Sequence, residues 1–118
     1  MKEISISQYL EFSPEVLTAL RAGTPVVAFE TGFYCRIPYE RNLRTLQETE
    51  RIIWSENCVP APIAVINGRF RAGLNAAEKE ALMQMRVSAE RAELPALAAA
   101  GKSACCAPSA AMAIAKMA

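Results

Sequence analysis

Glu30 closes the apolar run Val26-Val27-Ala28-Phe29, and a carboxyl group in that place is the chain's first candidate for chemistry. If the run is a strand of an open α/β sheet, its carboxyl end opens on the crevice where such sheets bind ligands, and a carboxyl withdrawn from water there is suited to proton donation. The alternative is a solvent-facing Glu at a strand-to-loop junction. The segment Tyr34-Cys35-Arg36-Ile37-Pro38-Tyr39-Glu40-Arg41 combines tyrosines and arginines that can bind phosphate or stack on a base, or else forms an exposed loop anchored by its aromatics. Arg69 and Arg71 flank Phe70 and either meet an anion together or face water. Cys35 as a nucleophile needs a base, and histidine is absent from the chain, so a papain-like pair is excluded and Cys35 reads as a small apolar filler. All twelve acidic residues are Glu, which removes every metal or general-base scheme that draws an Asp or His from this chain. Cys105 and Cys106 are adjacent and point in different directions, which argues against a shared metal, and Lys102-Ser103 lacks the glycine-rich run of a phosphate loop. Trp54 and the methionines Met83, Met85, Met112 and Met117 read as core or interface packing.

These groups need a scaffold, and punctuation along the chain outlines one. Ser13 as N-cap, Pro14 at the first helical position, the stripe Val16, Leu17, Leu20 and the stop at Gly23 predict a helix over 14–21. The nearly continuous apolar run that follows reads as a strand buried on both faces in a parallel sheet. After a loop from Thr31 to Arg41, Leu43, Leu46, Glu50, Ile53 and Trp54 recur at helical spacing behind Asn42 as a possible cap, predicting a helix over 43–56. Ala61-Pro62-Ile63-Ala64-Val65-Ile66 is a second apolar run, ending in the turn signal Asn67-Gly68. Strand, helix and strand suggest a right-handed βαβ unit, with Arg69–Leu74 returning as a short strand across the turn. Asn75 and Glu78 form a capping box for a helix through Met85, and helices are expected over 90–100 and 109–117. The fold class is therefore α/β: a partial parallel-sheet βαβ unit with additional C-terminal helices.

Residues 92–118 hold twelve alanines, which favour helix but bury little surface each, so the last helix is expected to lean on neighbours. Lys plus Arg 13 against Asp plus Glu 12 leaves a net charge of +1, no field that would draw the chain to nucleic acid or an anionic membrane. The polar N-terminus gives secretion no support and the longest apolar runs are too short for a bilayer, so the cysteines read as thiols and the expected compartment is the cytoplasm. Only two strands are legible, few for a free-standing sheet, and the chain is expected to be a single, truncated domain over 1–118.

Thr24-Pro25-Val26-Val27-Ala28-Phe29-Glu30-Thr31, then Pro38-Tyr39 and Asn42-Leu43, then Val59 to Arg69 (VPAPIAVINGR), resemble the opening of the pseudouridine-5'-phosphate glycosidases, in which "PVVALEST" is followed by "PYP-N" and "VPATIAILDGR". The resemblance continues through Ala72-Gly73-Leu74, Glu93-Leu94-Pro95 and Ala110-Ala111-Met112, and it covers the N-terminal portion of a family member. It implies reversible cleavage of the carbon–carbon glycosidic bond of pseudouridine 5'-phosphate to uracil and ribose 5-phosphate. It also implies an α/β fold assembled as a homotrimer, a divalent metal such as manganese, a Glu proton donor and a lysine that attacks the anomeric carbon.

Glu30 matches the family's proton donor. Ser88, seven residues before Pro95, stands where the family has a substrate-binding lysine, with Arg86 close enough to serve the phosphate, and Pro108 stands at a ligand-contacting valine. Cys35-Arg36-Ile37 replace a serine-histidine-glycine loop. The family's catalytic lysine segment and metal-supporting aspartate have no counterpart before Ala118, so no metal ligand is assigned here and the chain is expected to be inactive alone. It would need a complementing C-terminal chain, or else it is a noncatalytic α/β remnant or subunit that packs against a partner.

Overall fold

The structure, a computed structural model, describes residues 6–118. Met1–Ser5, part of the polar start weighed above against a signal sequence, lie outside the described residues. After a 3-10 turn at Ile6–Tyr9, the elements run β1 (Leu10–Phe12), α1 (Pro14–Ala22), β2 (Val26–Glu30), α2 (Gly32–Cys35), α3 (Tyr39–Ser55), β3 (Val59–Ile66), β4 (Arg69–Ala72), α4 (Ala76–Met85), β5 (Ser88–Ala89), a second 3-10 turn (Arg91–Glu93), α5 (Leu94–Ala100), β6 (Ala104–Cys106) and α6 (Pro108–Met117). The α/β class expected from the sequence is the one observed.

Local signals act where the sequence placed them. The Ser13 side chain accepts from the Val16 N–H at 3.3 Å, and Gly23 closes α1 in the left-handed region at φ 75°. Asn75 and Glu78 form the reciprocal capping box of α4, each bond 2.8 Å. Asn67 and Gly68 both take positive φ, 50° and 79°, the two-residue turn that matches strand twist and joins β3 to β4.

β3 is the hub of a mixed six-stranded sheet. β2 runs parallel to it, with α3 as the crossover, and β4 returns antiparallel with Val65 opposite Phe70. β1 adds parallel to β4, β6 antiparallel to β3, and β5 parallel to β6. β1, β5 and β6 have no sequence signature: strands of two or three residues carry too little pattern to show a period. One face of the sheet packs Ile63, Val65, Phe70 and Cys106 against Ile114 and Ala110 of α6, while the other packs Ala64 and Cys105 against Leu46 and Leu82 of α3 and α4. A smaller cluster joins Val16 and Ala19 of α1 to Val59 and Ala61. Cys105 and Cys106 thus point to opposite faces, as strand alternation requires.

Four expectations need correction. β2 is not buried on both faces: it pairs with β3 alone among the described residues, and Val27 is 39% exposed, because apolar composition does not specify how many neighbours a strand finds. The expected loop 31–41 contains α2 and the first turn of α3, since Pro38 sets the backbone for a helix starting at Tyr39. Asn42 is therefore not a cap but a buried residue of the first turn, its side-chain amide donating to the Met83 carbonyl at 2.8 Å. Trp54, Met85 and Met112 are exposed and so lie outside this chain's core, whereas Met83 is buried.

Candidate functional site

Glu30 ends β2 opposite Ile63, in the middle of β3. β4 occupies the other edge of β3 at that level, so β6 shares an edge with β2 and runs toward it, with Ala104 opposite Val65 and Cys105 opposite Ala64. Two strand ends therefore converge on one point, Glu30-Thr31 from one side and Cys106-Ala107 from the other. Thr31 stitches them: its hydroxyl donates to the Ile63 carbonyl at 2.7 Å and accepts from the Cys106 N–H at 2.9 Å, fully buried. Gly32 is required beside it by close approach, because a Cβ there would lie 2.6 Å from Ser88 Oγ and 3.0 Å from the Cys106 carbonyl. Nothing in the local sequence marks this junction beyond a Thr-Gly pair after the strand-ending Glu.

The junction opens on a cleft of about 220 Å³ between β2 and α6. Ala28, Phe29 and Glu30 form one wall, and Pro108, Ala111, Met112 and Ala115 the other. Glu30 turns one carboxylate oxygen, Oε2, into buried space where no hydrogen-bond partner meets it, an arrangement that costs stability unless a ligand supplies one. The cleft is smaller than the roughly 300–1,000 Å³ of sites that enclose a small molecule, so it can hold only part of one.

The structure thus brings Glu30 and Pro108 to one cleft, and places Ser88 behind Gly32 with its Oγ likewise buried and unpartnered. Arg86 does not line the cleft. It ends α4 in the left-handed region at φ 55°, and its guanidinium donates to the Cys35 carbonyl at 3.0 Å and the Arg36 carbonyl at 3.4 Å, tying α4 to the end of α2. Arg69 and Arg71 form no shared anion site: Arg69 pairs with Glu11 at 3.4 Å over the Tyr9 ring, and Arg71 pairs with Glu78 at 2.6 Å.

Burial pushes the Cys106 thiol up to about 12, and burial followed by the neighbouring Cys35 thiol pushes Cys105 up as well. These protonated thiols are poor nucleophiles and poor metal ligands. A disulfide-exchange reagent is accordingly expected to titrate Cys58 alone in the folded protein and all four thiols after unfolding, counted by released chromophore. Among the described residues no three side chains of metal-binding type converge, so Glu30 has no companions with which to hold manganese. No helix among them is long and apolar enough to cross a membrane.

Fold and site together define an α/β module with a partly buried carboxylate at the crevice end of a strand. Residues 15–118 match the family model for indigoidine synthase A like protein, and the chain belongs to that family. It is 39% identical over 100 residues to a pseudouridine-5'-phosphate glycosidase of Hahella chejuensis, an alignment covering 81% of this chain and 33% of the relative. It is 40% identical over 123 aligned positions to pseudouridine-5'-phosphate glycosidase 2 of Photorhabdus laumondii, covering all of this chain and 39% of the relative. The chain thus spans little more than a third of the length of these curated relatives. An indigoidine synthase A-like protein from Thermotoga maritima superposes with a TM-score of 0.79 at 23% identity, over 98% of this chain and 38% of that one. The prealnumycin C-glycosynthase AlnA, solved with ribulose 5-phosphate, superposes at 0.70 with 24% identity, over 91% and 35%. At those identities the two structures establish the fold.

Proposed function

We propose that this chain carries the proton-donor part of a site that cleaves the carbon–carbon glycosidic bond of pseudouridine 5'-phosphate to uracil and ribose 5-phosphate. The observation that carries the reading is the unpartnered, buried Oε2 of Glu30 in the cleft shared with Pro108. Such a bond lacks a heteroatom leaving group, so the departing carbon must receive a proton as the bond breaks, and a carboxyl with no competing hydrogen bond is free to deliver it. The names of the curated relatives support the substrate, and the ribulose 5-phosphate held by the C-glycosynthase supports a sugar phosphate in this fold.

In this reading Ser88 and Pro108 contact substrate, and Arg86, with one terminal nitrogen not engaged by the Cys35 and Arg36 carbonyls, reaches the phosphate. The residues around Glu30 do not fit a metal, so the proton transfer is assigned to the carboxyl alone. No lysine lines the cleft, and a donor without an attacking amine leaves the anomeric carbon without a partner. The attacking amine therefore comes from outside the residues that line this cleft.

The test is uracil release from pseudouridine 5'-phosphate with manganese in the buffer, by the chain alone and after mixing with the rest of a full-length relative's chain. Release is expected only in the mixture, and Glu30→Gln should lower it at least ~100-fold, the scale of a lost general acid. An inactive mixture in which both pieces are folded and associated, or a Glu30→Gln mixture as fast as the parent, would overturn the reading.

A further inference from the structure

We infer that Thr31 is the positioning residue of the Glu30 site: its hydroxyl sets the place of the carboxyl against the opposite wall of the cleft. A threonine at the N-cap of a helix ordinarily turns its hydroxyl to an N–H two or three residues on. Thr31 stands at that position of α2 and makes no such bond. Its hydroxyl serves two strands instead, donating to the Ile63 carbonyl at 2.7 Å and accepting from the Cys106 N–H at 2.9 Å. A carbonyl only accepts and an N–H only donates, so both roles of the hydroxyl are forced, and the branched Cβ leaves it few rotamers.

These bonds tie together segments that line the cleft. Ile63 lines it and pairs with Glu30 across the β2–β3 ladder. Cys106 lies two residues before Pro108, which begins the α6 wall, and Glu30 is joined to Thr31 covalently. A direct path from the carboxyl-bearing residue to the opposite wall therefore runs through this one hydroxyl. β6 is fixed from its far side, where the Cys105 and Ala107 N–H groups donate to the Val87 and Ala89 carbonyls at 2.7 and 2.9 Å. Glu30 needs such a hold, because no hydrogen bond at Oε2 fixes the carboxyl, and misplacing a reacting group by about 1 Å costs about 100-fold in rate.

What the carboxyl does rests on the proposed reaction; where it sits does not, and the two are measured separately. Among the described residues Glu30 is the one titratable group that lines the cleft. Methyl NMR of the chain labelled at alanine and methionine therefore reads its charge at Ala111, Ala115 and Met112. Those resonances should shift as the carboxyl titrates, and Glu30→Gln should abolish the shift. Thr31→Val, held folded by trimethylamine N-oxide, should cut the amplitude by about half or more, since the field of a charge falls with distance. Thr31→Ser keeps the hydroxyl and should recover it. Gly32→Ala also keeps the hydroxyl but sets a Cβ 3.0 Å from the Cys106 carbonyl, so it should move the joint and lower the amplitude as well.

In the mixture with the rest of a relative's chain, Thr31→Val should lower kcat about 100-fold with KM nearly unchanged. Adding it to Glu30→Gln should cost nothing more, because two residues that act as a unit are lost together, whereas a purely structural role would multiply the two losses. Cleft methyls that ignore Glu30 in the parent overturn the inference, as does a folded Thr31→Val chain with the parent's amplitude, or a double variant slower than Glu30→Gln alone. If Thr31→Val does not fold, an undiminished amplitude in Gly32→Ala overturns it. If the parent mixture releases no uracil with both pieces folded and associated, the proposed reaction falls and the methyl shifts decide the place of the carboxyl.

Discussion

Thr31→Val is expected to destabilise the protein by about 2–4 kcal/mol, because it strips the partner from two buried backbone groups at once. Valine has nearly the shape of threonine, so packing is preserved and the loss isolates hydrogen bonding. The Ile63 carbonyl and the Cys106 N–H, bonded to Thr31 at 2.7 and 2.9 Å, lie on different strands and lose the hydroxyl that bridges them in the substituted protein. Thr31→Ser keeps the hydroxyl and should recover most of the loss. The measurement is the urea midpoint of each variant at unchanged slope, and a Thr31→Val midpoint equal to the parent's would show that the junction does not depend on this hydroxyl. Because Thr31 follows Glu30 directly, loosening the junction should also disorder the carboxylate's placement in any active assembly.

Lys79→Met should cost a similar amount or more, about 3–5 kcal/mol if the ion pair behaves as buried pairs do. Lys79 of α4 donates to both Glu50 oxygens on α3, at 2.9 and 3.1 Å, and the two side chains keep only 16% and 12% of their exposure. Removing the ammonium leaves a carboxylate with little water and no cation. Adding Glu50→Leu should restore much of the stability, since two apolar groups of similar volume need no solvation, and a double-mutant cycle by thermal or urea unfolding separates the pair's coupling from its desolvation. Failure of the second substitution to recover any stability would mean that the pair itself, not the stranded charge, holds α3 to α4. The exposed Glu48–Arg51 pair on the outer face of α3 offers a contrast, with no measurable change expected on breaking it.

How far the fold can be read from the chain depends on the range of the interaction concerned. Ser13, Pro14 and Gly23 delimit α1, and Asn75 with Glu78 opens α4, because a cap satisfies donors only three residues away. Asn67-Gly68 marks its turn because both positions need positive φ. β1, β5 and β6 escape such reading: they are strands because backbone groups find partners on another strand, and two or three residues carry no period of their own. Asn42 shows the same limit in reverse, a residue with good capping chemistry whose amide is used instead on the Met83 carbonyl 41 positions away.

The candidate site divides in the same way. An apolar run ending in Glu places a carboxylate at a strand's crevice end, and the family resemblance attaches a role to it. The chain alone does not reveal that β2 has one partner strand among the described residues, that Pro108 forms the opposite wall of its cleft, or that two of Arg86's guanidinium nitrogens bond carbonyls at the end of α2. What the amino-acid sequence determined by itself is the helices other than α2, the central βαβ path and the acid at its end, all encoded by periodicity, caps and turns within a few residues. Only the tertiary structure decided the meeting of two strand ends at Thr31, whose hydroxyl joins carbonyl and N–H groups 32 and 75 residues distant, because hydrogen bonds across such separations depend on packing and leave no local mark.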